Sequence, residues 1–93
     1  MSIKLSEFNP FERFETQKEK NQFLMQCYED DDPNTFVTAL GFLAKHQGMT
    51  EVAKAAGFSR ESLYRTFNGK TQPRWDTIHR LLRVLGVQLT IAA

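Results

Sequence analysis

The chain has 93 residues, 41% of them hydrophobic and 25% charged, which allows one domain around a single modest core. No apolar run reaches the length of a membrane span, and the opening MSIKLSEFNPFE lacks the apolar centre of a signal peptide. The single cysteine, Cys27, excludes an internal disulfide and a thiolate metal cage, so the expectation is a protein of the reducing cytoplasm.

The formal net charge of +1 hides a segregation. Residues 1–43 carry four basic side chains (Lys4, Arg13, Lys18, Lys20) against eight acidic ones (Glu7, Glu12, Glu15, Glu19, Glu29, Asp30, Asp31, Asp32), a net −4. Residues 44–93 carry eight basic side chains (Lys45, Lys54, Arg60, Arg65, Lys70, Arg74, Arg80, Arg83) against three acidic ones (Glu51, Glu61, Asp76), a net +5. Such a division suits a chain with two kinds of partner, one of them polyanionic.

Residues 1–16 read as an N-terminal arm without a clear period. Phe8, Phe11 and Phe14 recur every three residues around Pro10, which fits a short helical turn or an extended arm laid on the domain or on a partner. Gln17–Glu29 reads as a helix with Phe23, Leu24, Cys27 and Tyr28 on one side. Cys27 falls on that apolar stripe without a basic neighbour in sequence, so packing rather than chemistry is its expected role.

The acidic residues 29–32 lead into Pro33. Asp32 followed by Pro33 is an N-cap followed by the residue favoured at the first helical position, and the acidic charges suit the positive end of that helix. A calcium loop would need a glycine and spaced oxygen ligands that this run lacks, so no metal site is expected. Residues 34–47 form an amphipathic pattern, with Phe36, Leu40, Leu43 and Ala44 at i, i+4, i+7 and i+8, and Gly48 ends it.

Residues 49–69, MTEVAKAAGFSRESLYRTFNG, constrain the chain most. Val52 and Ala53 belong on the inner face of a short helix, which Ala56 and Gly57 close. Ser59 can cap a second helix, with Phe58 and Leu63 as a hydrophobic staple around the cap. Leu63 and Phe67 then face inward, leaving Arg60, Glu61, Tyr64, Arg65 and Asn68 on the outer face. A short helix, a glycine-containing turn and a second helix with a polar, partly cationic face describe a helix-turn-helix. Residues 68–72, NGKTQ, form a polar turn, with Lys70 and Thr71 where such loops commonly meet a phosphate backbone.

Pro73 opens a last helix over residues 74–85, with Trp75, Ile78, Leu81, Leu82 and Leu85 on its inner face and Gly86 as its stop. His79, Arg80 and Arg83 point elsewhere. Residues 87–92, VQLTIA, alternate as a β-strand. One strand cannot satisfy its own backbone groups, so the expected solution is pairing with the same strand of a second copy across a two-fold axis, the alternative being a disordered or helix-packed tail.

Chemistry for catalysis is not apparent. His46 and His79 lie in separate predicted helices without acidic or cysteine company, and no glycine-rich loop follows a strand. No enzyme activity and no cofactor are expected. Nucleic-acid binding is better supported: Arg60 and Arg65 can each present a bidentate fork to guanine or to phosphate. Glu61 can accept from a cytosine amine or pair with Arg65 one turn on. Asn68 can read adenine or finish the helix. Ser59 can offer its amide or hydroxyl to phosphate as readily as it caps, and Thr50 and Lys70 suit phosphate better than bases.

Through Val52-Ala53, Gly57, Leu63 and Phe67-Asn68-Gly69 the segment resembles the lambda-repressor-like helix-turn-helix proteins. Asp31-Asp32-Pro33, Ala39-Leu40-Gly41, Gly48-Met49-Thr50, Ser59-Arg60-Glu61-Ser62-Leu63-Tyr64 and Leu85-Gly86-Val87 make nearly the whole chain, from about Phe8, similar to the probable addiction-module antidote family, a branch of the HigA-type antitoxins. The resemblance implies a dimeric antitoxin that neutralises a small RelE-like mRNA-cleaving toxin and represses its own operon. It directs Ser59, Arg60, Glu61, Ser62 and Arg65 toward the major groove and Thr50 and Lys70 toward the backbone; Tyr64 and Asn68 complete the candidate DNA-binding set. Thr66, where an aliphatic residue is common, and Gly48, where a polar cap is usual, depart from the broader pattern. The expected architecture is all-α: an arm over residues 1–16, then a five-helix domain over residues 17–93 with a dimerising C-terminal strand at 87–92. The competing readings are a stand-alone phage or host repressor and a protein-interaction module that does not bind DNA.

Overall fold

The computed structural model describes residues 9–70 and 72–92, and the expectations placed on Phe8 and Thr71 lie outside them. A 3₁₀ turn at Pro10–Glu12 precedes five α-helices among the described residues: α1 (Gln17–Glu29), α2 (Pro33–Gln47), α3 (Met49–Ala56), α4 (Arg60–Phe67) and α5 (Trp75–Leu85). The all-α expectation holds.

Local chemistry sets most of the ends. Thr16 and Glu19 form a reciprocal capping box at the start of α1, the Thr16 hydroxyl accepting from the Glu19 N–H at 3.1 Å and the Glu19 carboxylate accepting from the Thr16 N–H at 3.2 Å. The Asp32 carboxylate accepts the Asn34 N–H at 2.9 Å, with Pro33 at the first position of α2. Gly48 serves two helices. At φ 112° it lets its N–H close on the Ala44 and Lys45 carbonyls, while its own carbonyl accepts from Val52 in α3. A backbone-only junction therefore replaces the polar cap that the wider pattern leads one to expect.

Helix α2 is the centre. Val37, Ala39, Leu40, Gly41, Phe42, Leu43 and Ala44 are all buried, far more than the single stripe its spacing suggested. Helix α1 and the 3₁₀ turn cover one part of it, and α3, α4 and α5 cover the rest. The arm joins this core through Phe11, whose ring is 1% exposed and meets Phe14 and Phe23 edge-on at 5.6 and 5.4 Å. Asn9 fastens it: its Nδ2 donates to the Phe42 carbonyl at 2.7 Å and its Oδ1 accepts from the Phe11 N–H at 3.0 Å. Among the described residues no buried side-chain polar atom lacks a partner.

Three expectations are corrected. No strand forms at residues 87–92 among the described residues. Gly86 (φ 79°) closes α5 with its N–H on the Arg83 carbonyl, and the Val87 N–H turns back to the Leu82 carbonyl at 2.9 Å. That is a Schellman closure, with Val87 packed on the core, so the first ladder donor is already spent; among the described residues the rest of the segment has no strand to pair with. Trp75 does not face inward but is 63% exposed, while Ile78, Leu81, Leu82 and Leu85 are buried as expected. It is the first residue of α5, where its spacing matches the inner stripe but no neighbouring element extends over it. Tyr28 also lies outside the core, its ring edge-on to Phe36 at 5.2 Å.

Candidate nucleic-acid interface

Helices α3 and α4 are joined by Gly57, Phe58 and Ser59. Gly57 (φ 78°) sends its N–H to the Lys54 carbonyl, and the Phe58 N–H reaches the Ala53 carbonyl at 2.9 Å, a second Schellman closure. The Ser59 hydroxyl then accepts from the Ser62 N–H at 3.1 Å and starts α4 as its N-cap. Phe58 packs on the core that also holds buried Leu63, consistent with a staple. Leu63 and Phe67 are 0% and 1% exposed, which fixes the rotation of α4 about its axis. The opposite face is thereby committed to solvent.

On that face the structure brings together most of the residues picked from sequence. Ser59, Arg60, Glu61, Tyr64, Arg65 and Asn68 are exposed, and Ser62 is half-buried at the edge. Both guanidinium groups make only light surface contacts. Arg60 lies over the Tyr64 ring, 5.6 Å from its centroid, with Nη2 at 3.4 Å from the Tyr64 hydroxyl. Arg65 donates from Nη2 to the Ser62 hydroxyl at 3.2 Å. That hydroxyl also accepts from the Ser59 hydroxyl at 2.9 Å, so Ser59, Ser62 and Arg65 form a surface chain of hydrogen bonds. Among the described residues no ion pair joins Glu61 to Arg65. Thr66, the second departure, is absorbed locally: its hydroxyl donates to the Ser62 carbonyl at 3.0 Å.

The flanks behave differently. Thr50 and Lys70 are exposed, on α3 and on the loop after α4. The Asn68 Oδ1 accepts the Lys70 N–H at 2.8 Å, so it shapes the turn; a bidentate adenine contact would need that oxygen as well as Nδ2. Gly69 takes φ 77°. An open groove of about 440 Å³ runs beside α4, lined by Ser62, Arg65, Thr66, Asn68, Pro73 and Thr77, and connects the α4 face to the start of α5.

Supporting residues escaped the sequence reading. The Asn34 Nδ2 donates to the Gly69 carbonyl at 3.2 Å and its Oδ1 accepts from Gln72 at 3.0 Å, tying the loop to the start of α2. Arg80 lies over the Phe58 ring, 5.2 Å from its centroid, and donates to the Ala56 carbonyl at 3.3 Å, so it braces the α3–α4 turn from α5. The hydrogen-bonded partners are 24 to 38 residues apart, and no local spacing announces them. His46 lies beside Phe11 and His79 beside Trp75, on different elements. No group of three or more metal-ligating side chains occurs among the described residues.

Two short helices joined by a glycine turn, the second buried by Leu63 and Phe67 and open on its arginine side, define a helix-turn-helix protein. The family described as probable addiction module antidote protein matches residues 4–93, and the chain belongs to that family. It is similar to an uncharacterised protein of Haemophilus influenzae, 28% identical over 91 residues that cover 98% of this chain and 94% of that one. It also resembles an uncharacterised HTH-type transcriptional regulator of Mycobacterium tuberculosis, 46% identical over 44 residues. That match covers 47% of this chain and 22% of the regulator, so only a module is shared. No solved structure matches the chain. No helix among the described residues is long and apolar enough to cross a membrane.

Proposed function

We propose that this protein is the antitoxin of a type II toxin–antitoxin module, a cytoplasmic homodimer that represses its own operon and neutralises a RelE-like toxin. The observation that carries the DNA half is the rotation of α4: burial of Leu63 and Phe67 leaves Arg60 and Arg65 exposed and bound to no carboxylate among the described residues. In this reading α4 enters the major groove. Arg60 and Arg65 read guanine edges or grip phosphate, Glu61 and Ser62 adjust base preference, and Tyr64 supports Arg60. Ser59, Thr50 and Lys70 meet the backbone, and Asn68 holds the loop that presents Lys70. A two-fold dimer would set the two α4 helices about 34 Å apart on a palindromic operator. The exposed Leu89 and Ile91 of residues 87–92 are the contact assigned to the second copy.

The toxin half rests on the family. Coexpression with the gene immediately beside this one tests it directly: that product alone should arrest growth, and this chain should restore it. A neighbour that causes no arrest, or an arrest this chain does not relieve, leaves a stand-alone repressor instead.

A further inference from the structure

Met25 and Tyr28 stand three residues apart on α1 and are 57% and 63% exposed. The Tyr28 ring meets half-buried Phe36 of α2, so the apolar surface continues across the junction between the two helices. Exposed apolar side chains scattered singly are ordinary; a methionine and an aromatic pair sharing one face are the composition of a contact surface. Methionine adds adaptability to whatever covers it.

The surrounding charge selects the occupant. Between Lys20 and Lys45 the chain holds no basic residue, while Glu29, Asp30, Asp31 and Asp32 follow Tyr28 directly and are all exposed. A nucleic acid approaching this face meets four carboxylates and is repelled. A second copy docked about a two-fold axis would bring the same four carboxylates against themselves. A cationic protein surface meets neither obstacle. Its association is accelerated by the acidic rim and completed by burying Met25, Tyr28 and Phe36.

We propose that the Met25–Tyr28–Phe36 face, with its acidic rim, is the docking surface for a cationic protein partner. On the antitoxin reading, on which this assignment rests, that partner is the toxin, whose own ligand, RNA, requires a basic surface. The face thus has a partner of opposite charge to that of α4.

The test uses the full chain and the purified product of the neighbouring gene in a surface-association assay. Glu29→Lys combined with Asp31→Lys reverses the rim at two positions whose side chains make no hydrogen bond among the described residues. Tyr28→Ala removes the apolar contact. The charge variant should lower the association rate by at least about tenfold at low salt, with the deficit shrinking as salt rises. Tyr28→Ala should speed dissociation by about tenfold. Tyr28→Ala, which also loses the Phe36 ring contact, and the charge variant, which loses a favourable charge at the start of α2, should each melt a few degrees below wild type but cooperatively. Both should keep promoter-DNA affinity, which separates a docking defect from misfolding. Wild-type rates in folded variants would overturn the docking face and leave the antitoxin reading intact. A wild-type chain that does not bind the product would overturn the antitoxin reading, and the toxin assignment with it. Head-to-tail self-association that the charge variant abolishes would reassign the face to the basic half of another copy.

Discussion

Ser59 has two jobs in this account, and two substitutions separate them. Its hydroxyl accepts the Ser62 N–H at 3.1 Å and is exposed at the start of α4. Ser59→Ala removes that acceptor, at a cost of about 1 kcal/mol. In a domain of this size that lowers the melting temperature by roughly 4–8 °C. Ser59→Asp keeps an oxygen acceptor and adds a negative charge at the positive end of the helix, worth ~0.3–1 kcal/mol, so stability is retained. The same carboxylate would sit about 4 Å from a bound phosphate, where repulsion amounts to roughly 1–4 kcal/mol between fully hydrated and surface-like dielectric limits. Affinity for the promoter should therefore fall by between about fivefold and several hundredfold. Thermal melts by circular dichroism and fluorescence anisotropy with labelled promoter DNA at matched salt measure both effects. An aspartate variant with wild-type affinity would refute the placement of the Ser59 end of α4 against a phosphate; an alanine variant with an unchanged melt would refute the cap.

Phe11→Ala should destabilise the domain by about 3–5 kcal/mol, because a fully buried ring that holds Phe14 and Phe23 is lost. A urea midpoint equal to wild type would mean that the arm is no part of the core. Burial, with the Asp30 carboxylate second, pushes the Cys27 thiol above its ordinary value. At about pH 8.5, where a free cysteine is half ionised, the folded protein should react with a disulfide reagent more slowly than the urea-unfolded chain. Because the raised group is an acid, its contribution to stability is full below the unfolded value and is lost as pH rises through the folded one. Equal reaction rates in the folded and unfolded chains would contradict this placement of Cys27.

What could be read in the sequence was local. The extent of α1, the Asp32-Pro33 start, the Ser59 cap and the inward Leu63 and Phe67 all follow from neighbours within one helical turn, and the structure places them as expected. The exposed set on α4 was legible for the same reason, by exclusion from the buried stripe. What depends on distant packing was not. The burial of α2 on all sides arises because every other element leans on it, and its composition alone suggested a stripe. Trp75 kept the inner-face spacing but begins its helix where nothing covers it. The strand expected at residues 87–92 fails because Val87 is recruited to close α5, a use that alternation does not reveal. Asn9, Asn34 and Arg80 reach across the chain to a single carbonyl each, which no periodicity encodes.

The most direct test of the central claim is the affinity of the wild-type chain, Arg60→Ala and Arg65→Ala for the promoter of its own operon, measured at one physiological salt concentration against competitor DNA. Wild type should prefer the promoter, and each substitution should weaken that specific binding by about 1–3 kcal/mol without lowering the melting temperature. Promoter DNA bound no better than competitor, or both variants binding as tightly as wild type, would contradict it.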